Sequence, residues 1–171
     1  MHWLALIGLF LLASVAYAAW RGAPWVPTWR RDLDRLAGLA ALKPGEHFVE
    51  LGCGDARVCV EMARRSGARA TGVELGLPQW AAARLRAWHS RLPVQIALGD
   101  AFSFPLADAD VAYLFLMPDA LAKLAPKLAA ELRPGARVVS YVWPVPGMQV
   151  VREDHVEGSP VIFLQVKKLE T

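Results

Sequence analysis

The sequence predicts an α/β fold in which a mostly parallel sheet carries helices on both faces behind one apolar N-terminal segment. Three observations predict it. From about residue 47 to residue 142, short apolar runs of strand length alternate with stretches whose apolar residues recur at helical spacing, the pattern of parallel strands joined by right-handed crossovers. Two glycines, Gly52 and Gly54, fall where a strand gives way to the next helix. Of the first 20 residues, 17 are apolar, and none is Asp, Glu, Lys or Arg. A chain of 171 residues thus holds one hydrophobic segment and one globular domain of about 150 residues, enough for a real core. A multidomain enzyme, a disordered chain, a polytopic membrane protein and a disulfide-rich miniprotein are not expected.

The first element runs from Trp3 to Trp20. Its 18 uncharged residues, rising about 1.5 Å each, give roughly 27 Å, close to a hydrocarbon core of about 30 Å. Trp3, Tyr17 and Trp20 sit where interfacial aromatics belong. Ala16-Tyr17-Ala18 resembles a small-x-small cleavage site, but arginine follows the run and none precedes it. That asymmetry favours an uncleaved anchor with the rest of the chain in the cytoplasm. Residues 1–20 are therefore read as a transmembrane anchor, 21–45 as a basic, proline-containing linker with a pre-domain helix, and 46–171 as the globular domain. The linker holds Arg21, Arg30, Arg31, Arg35 and Lys43 against Asp32 and Asp34, which accounts for the whole formal charge of +3. Basic character is a local collar, so a nucleic-acid footprint on the folded module is not expected. Two cysteines, Cys53 and Cys59, make no disulfide framework.

Gly22 to Thr28 is proline-rich and cannot be a helix interior. Leu33, Leu36 and Ala40 predict a helix over 29–42, stopped by Lys43-Pro44-Gly45. His47 to Leu51 reads as a buried strand, and 56–66 as a helix ended by Gly67. Ala70 to Val73 is a second strand, and 78–90 a helix whose Ala81, Leu85 and Trp88 recur at helical spacing. Val94 to Leu98 and Val111 to Leu116 are apolar enough for interior strands. A helix over 118–132 follows, which Pro126 must kink or split, then a strand at 138–142. Val150 to Val156 and Val161 to Val166 predict an antiparallel terminal hairpin.

Chemistry concentrates at Val49-Glu50-Leu51-Gly52-Cys53-Gly54-Asp55-Ala56. Gly52 and Gly54 let backbone and ligand approach closely at the carboxyl edge of a parallel sheet, where such folds bind ligands. Glu74 closes the second strand, 22 residues after Gly52, where its carboxylate can accept both hydroxyls of a ribose. Asp100, in Gly99-Asp100-Ala101-Phe102 after the third strand, can accept from an adenine amino group beside an aromatic ring. A dinucleotide fingerprint wants glycine where Arg57 stands, so NAD or FAD is disfavoured. Cys53, Cys59 and His47 lack paired-ligand spacing, and no metal is expected. Asp110, opening the fourth strand, reads as structural.

These residues resemble the class I S-adenosylmethionine-dependent methyltransferases, over most of residues 44 to 143. The resemblance implies a Rossmann-like, doubly wound, seven-stranded sheet ending in the hairpin, with S-adenosyl-L-methionine as cofactor. It implies that Glu50, Gly52, Cys53 and Gly54 face the methionine part, Glu74 and Leu75 the ribose, and Asp100, Ala101 and Phe102 the adenine. More narrowly, the chain looks like the membrane-anchored protein-lysine methyltransferases that modify inner-membrane proteins in mitochondria, and their bacterial relatives. That likeness rests on the anchor followed by Pro24-Trp25-Val26-Pro27-Thr28, on Leu116-Met117-Pro118, on Glu131 to Arg137 and on Pro144-Val145-Pro146-Gly147.

The expected reaction transfers the sulfonium methyl to a lysine nitrogen, with alignment and desolvation as the main catalytic devices. The acceptor is expected to dock on residues 21 to 45, with Trp25, Pro27 and Thr28, near Met117 and Pro118, and on the Pro144 to Gly147 loop. Tyr141 and Trp143 are placed near its channel, with Trp29 beside them. Asp119 is a candidate base or amine-orienting group, with helix capping as its alternative. The expected partners are a membrane-associated protein substrate and the lipid bilayer. Methylation of a lipid or small molecule, and a cofactor-binding scaffold without turnover, remain the alternatives.

Overall fold

The computed structural model describes residues 2–21 and 24–167; Gly22 and Ala23 of the proline-rich stretch lie outside the described residues. Helix α1 spans His2–Arg21 and is long and apolar enough to cross a membrane. A 3-10 turn, Arg30–Asp32, leads into α2, Leu33–Ala40, which is shorter than the helix predicted over 29–42 because Ala41 takes a left-handed cap at φ 44°. Strands β1 (His47–Leu51), β2 (Arg69–Glu74), β3 (Val94–Leu98), β4 (Val111–Leu114) and β5 (Arg137–Tyr141) alternate with α3 (Arg57–Ser66), α4 (Leu77–Ser90) and α5 (Pro118–Glu131), except that β3 leads to β4 without a helix. Strands β6 (Gln149–Asp154) and β7 (Ile162–Val166) close the chain.

The sheet has seven strands in the order β3-β2-β1-β4-β5-β7-β6. The five strands β1 to β5 pair in parallel, and β7 runs antiparallel to both β5 and β6. The terminal hairpin therefore forms as predicted, but its second strand inserts beside β5 and leaves β6 at the edge. Burial explains the order. Ile162 and Gln165 of β7 are fully buried, whereas five of six β6 residues are exposed. Gln165 fixes the arrangement by accepting from Ser140 Oγ at 3.1 Å and Val145 N at 2.8 Å and donating to Val145 O at 2.9 Å.

Alternation along β1 divides the core into two layers. Phe48 packs with Leu36, Leu39, Val58 and Met62 under α2 and α3, while Val49 and Leu51 pack with Leu121, Leu124 and Leu128 of α5. Those three leucines hold α5 as one helix through Pro126, so of the expected kink or split the split does not occur. In α4 the small residues Ala83 and Ala87 face the sheet, and Leu85 and Trp88 point outward. The stripe visible in the sequence is thus the exposed side of that helix. Residues 24–45 are bound into the domain by buried Thr28 and Asp32, whose side chains meet Tyr113 and Tyr141.

The parallel strand order reverses between β1 and β4, which leaves a crevice at their carboxyl ends, the expected ligand position in open α/β sheets.

Candidate active site

That crevice is a cleft of about 890 Å³ including its open mouth. Three carboxylates enter it from the ends of three adjacent strands: Glu50 from β1, Glu74 from β2 and Asp100 just past β3. All nine residues predicted to hold a cofactor line it, Glu50, Gly52, Cys53, Gly54, Glu74, Leu75, Asp100, Ala101 and Phe102.

Each carboxylate has a distinct setting. Glu50 is buried beneath the first turn of α3, where Cys59 donates its N–H at 3.1 Å and its thiol at 3.0 Å. Burial pushes its pKa up to about 8, although those donors pull the other way. Glu74 accepts N–H groups from Gly54 at 2.8 Å and Gly76 at 2.7 Å. Burial raises its pKa against those donors. A carboxylate offers about four lone-pair sites, so Glu74 ties the glycine loop to β2 and keeps acceptor capacity for two ligand hydroxyls. Asp100 accepts the Phe102 N–H at 2.9 Å on Oδ1 and the Arg21 guanidinium at 2.5 Å on Oδ2.

The loop between β1 and α3 is shaped by contacts as well as by dihedral angles. Gly54 stands at φ +54°, and a Cβ built there would lie 2.6 Å from Trp25 Nε1. Trp25 therefore lies directly on the loop. On the other side, Cys53 Sγ occupies the space that a side chain at Gly72 would need, 2.7 Å from its ideal Cβ, so a glycine sits inside β2.

The collar forms one wall. Arg21, Pro24, Trp25, Val26, Pro27 and Thr28 line the cleft, with Thr28 Oγ1 sharing a hydrogen bond with Tyr113 Oη at 2.8 Å. Arg21 also stacks over Phe102, 5.1 Å from the ring centroid. Sequence reasoning missed Val15, Ala18, Ala19 and Arg21 in the last turns of α1, and Gln79, Phe115 and Leu116, as lining residues. The last two directly follow β4, a strand end like the others, and were legible on that ground; Arg21 and Gln79 gave no such signal. Among the described residues Gln79 Oε1 is buried without a hydrogen-bond partner, which marks a polar position open to a ligand.

The three residues expected to act in catalysis do not join this cleft. Tyr141 is 2% exposed and donates its hydroxyl to Asp32 at 2.5 Å. Trp143 packs against the α5 layer of the core. Asp119 is exposed in the first turn of α5. Among the described residues lining the cleft none of these occurs, and neither do Met117, Pro118 or the Pro144 to Gly147 loop. Met117 and Pro118 follow lining residue Leu116 but turn outward to start α5.

Comparison with known proteins gives one consistent result. The family model described as the ANTKMT methyltransferase domain matches residues 50–152. A protein-lysine N-methyltransferase of Saccharolobus islandicus is 28% identical over 149 residues, covering 84% of this chain and 92% of that protein. The adenine nucleotide translocase lysine N-methyltransferase of Mus musculus is 37% identical over 131 residues, 75% of this chain but 56% of the mouse protein, so the chain spans little more than half of that relative. A crystal structure of an RNA methyltransferase from Salinibacter ruber, in complex with S-adenosyl-L-homocysteine, superposes with TM-score 0.80 at 30% identity, covering 85% of this chain and 97% of that one.

Proposed function

The chain belongs to the family of the ANTKMT methyltransferase domain and is an S-adenosylmethionine-dependent methyltransferase, and from that premise we propose that it is a membrane-anchored enzyme that N-methylates lysine in a membrane-associated protein. The observation that carries the reading is the convergence of Glu50, Glu74 and Asp100 on one cleft. Their chemistry fits the cofactor: hydroxyl donors suit the free acceptor sites of Glu74, a cationic ammonium suits the buried acid Glu50, and an amino group suits Asp100 beside Phe102. In this reading Gly52, Cys53, Gly54, Leu75 and Ala101 supply the close walls. When bound, S-adenosylmethionine supplies an electrophilic methyl for in-line attack by a nitrogen lone pair.

What the chain contributes is position and dryness. Trp25, Pro27, Phe115 and Leu116 make an apolar wall that favours the neutral form of an entering lysine. Trp25 offers a ring face to the cationic form on its way in. With Tyr141 spent on Asp32 and Asp119 outside the cleft, alignment supplies the rate enhancement without a dedicated base. The lysine acceptor is supported by the archaeal and mouse relatives. Anchoring is supported by α1, uncharged until Arg21 and without a buried residue, and in this reading the basic collar keeps the domain on the cytoplasmic side.

Two measurements test this. Calorimetric titration with S-adenosylmethionine reads the site: Glu74→Ala abolishes binding, and unchanged binding refutes the assignment. Radiolabelled methyl transfer into membranes, separated into protein, lipid and RNA, reads the acceptor. Label in protein that hydrolyses to methyl-lysine is expected. Label only in lipid, or only in RNA as the name of the Salinibacter protein would have it, overturns the lysine reading.

A further inference from the structure

We propose that the outer face of α4 is a second membrane contact, seated on an anionic bilayer surface beside α1. The proposal rests on the reading of α1 as an anchor and adds which face of the domain meets the membrane.

Helix α4 buries Ala83 and Ala87 and turns a row at positions i, i+4 and i+7, Ala81, Leu85 and Trp88, to solvent. Leu85 is 64% exposed and Trp88 76% exposed. A large aliphatic and a tryptophan on one helical row are costly to leave in water, at roughly 25 cal/mol per Å² of apolar surface. Exposed Arg84 and Arg91 flank Trp88 on the adjoining row, and the Arg84 guanidinium lies 5.3 Å from the Trp80 ring centroid. Charge selects the occupant. The 25 residues from Leu75 to Gly99 contain Arg84, Arg86 and Arg91 and not one Asp or Glu. Arg86 is engaged by Asp55 at 2.8 Å, which leaves Arg84 and Arg91 at the rim.

Tryptophan settles at the headgroup boundary, and arginine reaches past it to phosphate, so this row has the make-up of an interfacial helix. Continuity with α1 fixes the level. Ser14 Oγ of α1 accepts the Leu77 N–H, at the start of α4, at 2.9 Å. Ser14 precedes Arg21 by seven residues, roughly 10 Å of helix, so α4 begins about 10 Å to the membrane side of Arg21, within the depth an interfacial helix reaches. A second copy or a protein partner would also cover Leu85 and Trp88, but a purely basic rim beside an apolar helix matches an anionic lipid surface better.

The test uses the full chain with Trp88→Cys carrying an environment-sensitive fluorophore, since Cys53 and Cys59 are buried. Leu9→Cys, labelled in the same way, reports α1. Vesicles contain phosphatidylcholine alone, or phosphatidylcholine with phosphatidylglycerol, with nitroxide-bearing lipids as quenchers. With phosphatidylglycerol, the position 88 label shifts to the blue and is quenched by shallow nitroxides. That quenching falls about threefold or more with Arg84→Glu and Arg91→Glu combined, or on raising salt to about 0.5 M. A position 88 label that stays in water while position 9 is quenched overturns the α4 contact and leaves the anchor standing. If neither label is quenched, both readings fail. A blue shift at position 88 that follows protein concentration and ignores the quencher identifies a second copy and also refutes the proposal.

Discussion

Replacing Gly54 by alanine separates backbone strain from loss of the cofactor surface. The residue stands at φ +54°, and the new Cβ would meet Trp25 Nε1 at 2.6 Å and Cδ1 at 2.9 Å. The left-handed conformation costs an alanine about 1–2 kcal/mol, a strain that Ala56 already bears two residues later at φ 58°. In a chain of this size that is a fall of roughly 2–8 °C in Tm. The half-exposed indole must swing off the loop, and the methyl then occupies the approach to Glu74 and Glu50. S-adenosylmethionine binding is expected to weaken at least tenfold, or about 1.4 kcal/mol. Gly45→Ala is the control, because Gly45 has φ +85° and nothing within 4 Å of its ideal Cβ. It shares the strain and not the contact, so it lowers Tm and leaves the dissociation constant unchanged. Calorimetric titration beside thermal denaturation measures both quantities, and Trp25→Ala combined with Gly54→Ala should be less than additive in stability, since the indole contact is lost only once. Wild-type affinity in Gly54→Ala, or equal loss in Gly45→Ala, refutes the reasoning.

Asp32→Ala removes a fully buried acceptor of the Tyr141 hydroxyl and the Arg35 guanidinium, and a loss of about 3 kcal/mol is expected in urea denaturation. Burial pushes the Asp32 carboxyl up, but hydrogen bonds from Tyr141 and Arg35 outweigh it and hold its pKa below the ordinary value. Its stabilisation is therefore present above the unfolded pKa and lost as pH falls through the lower folded one. Glu50 has the opposite sign: with its pKa raised to about 8, its stabilisation is complete below the unfolded value and disappears as pH rises toward 8. Denaturation across pH 5 to 8 should show that decline, and Glu50→Gln should flatten it. Arg21→Ala frees Asp100 Oδ2, the acceptor proposed above for an adenine amino group, and should tighten S-adenosylmethionine by about two- to fivefold; weaker binding would show that Arg21 supports the cofactor instead.

The positions of Glu50, Glu74 and Asp100 were legible because a residue that ends a parallel strand lies at the sheet's carboxyl edge wherever the chain goes next. Strand alternation and glycine spacing are local properties, and they located the cleft. Tyr141 and Trp143 show where that logic stops. They follow the same rule by position, but Tyr141 points into the α2 and α3 layer, where Asp32 claims its hydroxyl. Helical spacing likewise found the α4 stripe without saying which side is buried, since alanines allow the closer approach to the sheet.

By itself, then, the sequence determined the α/β class, the glycine loop and the three acids, all set by residue order within single βα units. Only the tertiary structure decided that β7 enters beside β5, that Trp25 lies on Gly54, and that Arg21 reaches Asp100 from 79 residues away. Those pairings join distant segments, and their free energy comes from contacts and desolvation that exist only after the chain has closed on itself.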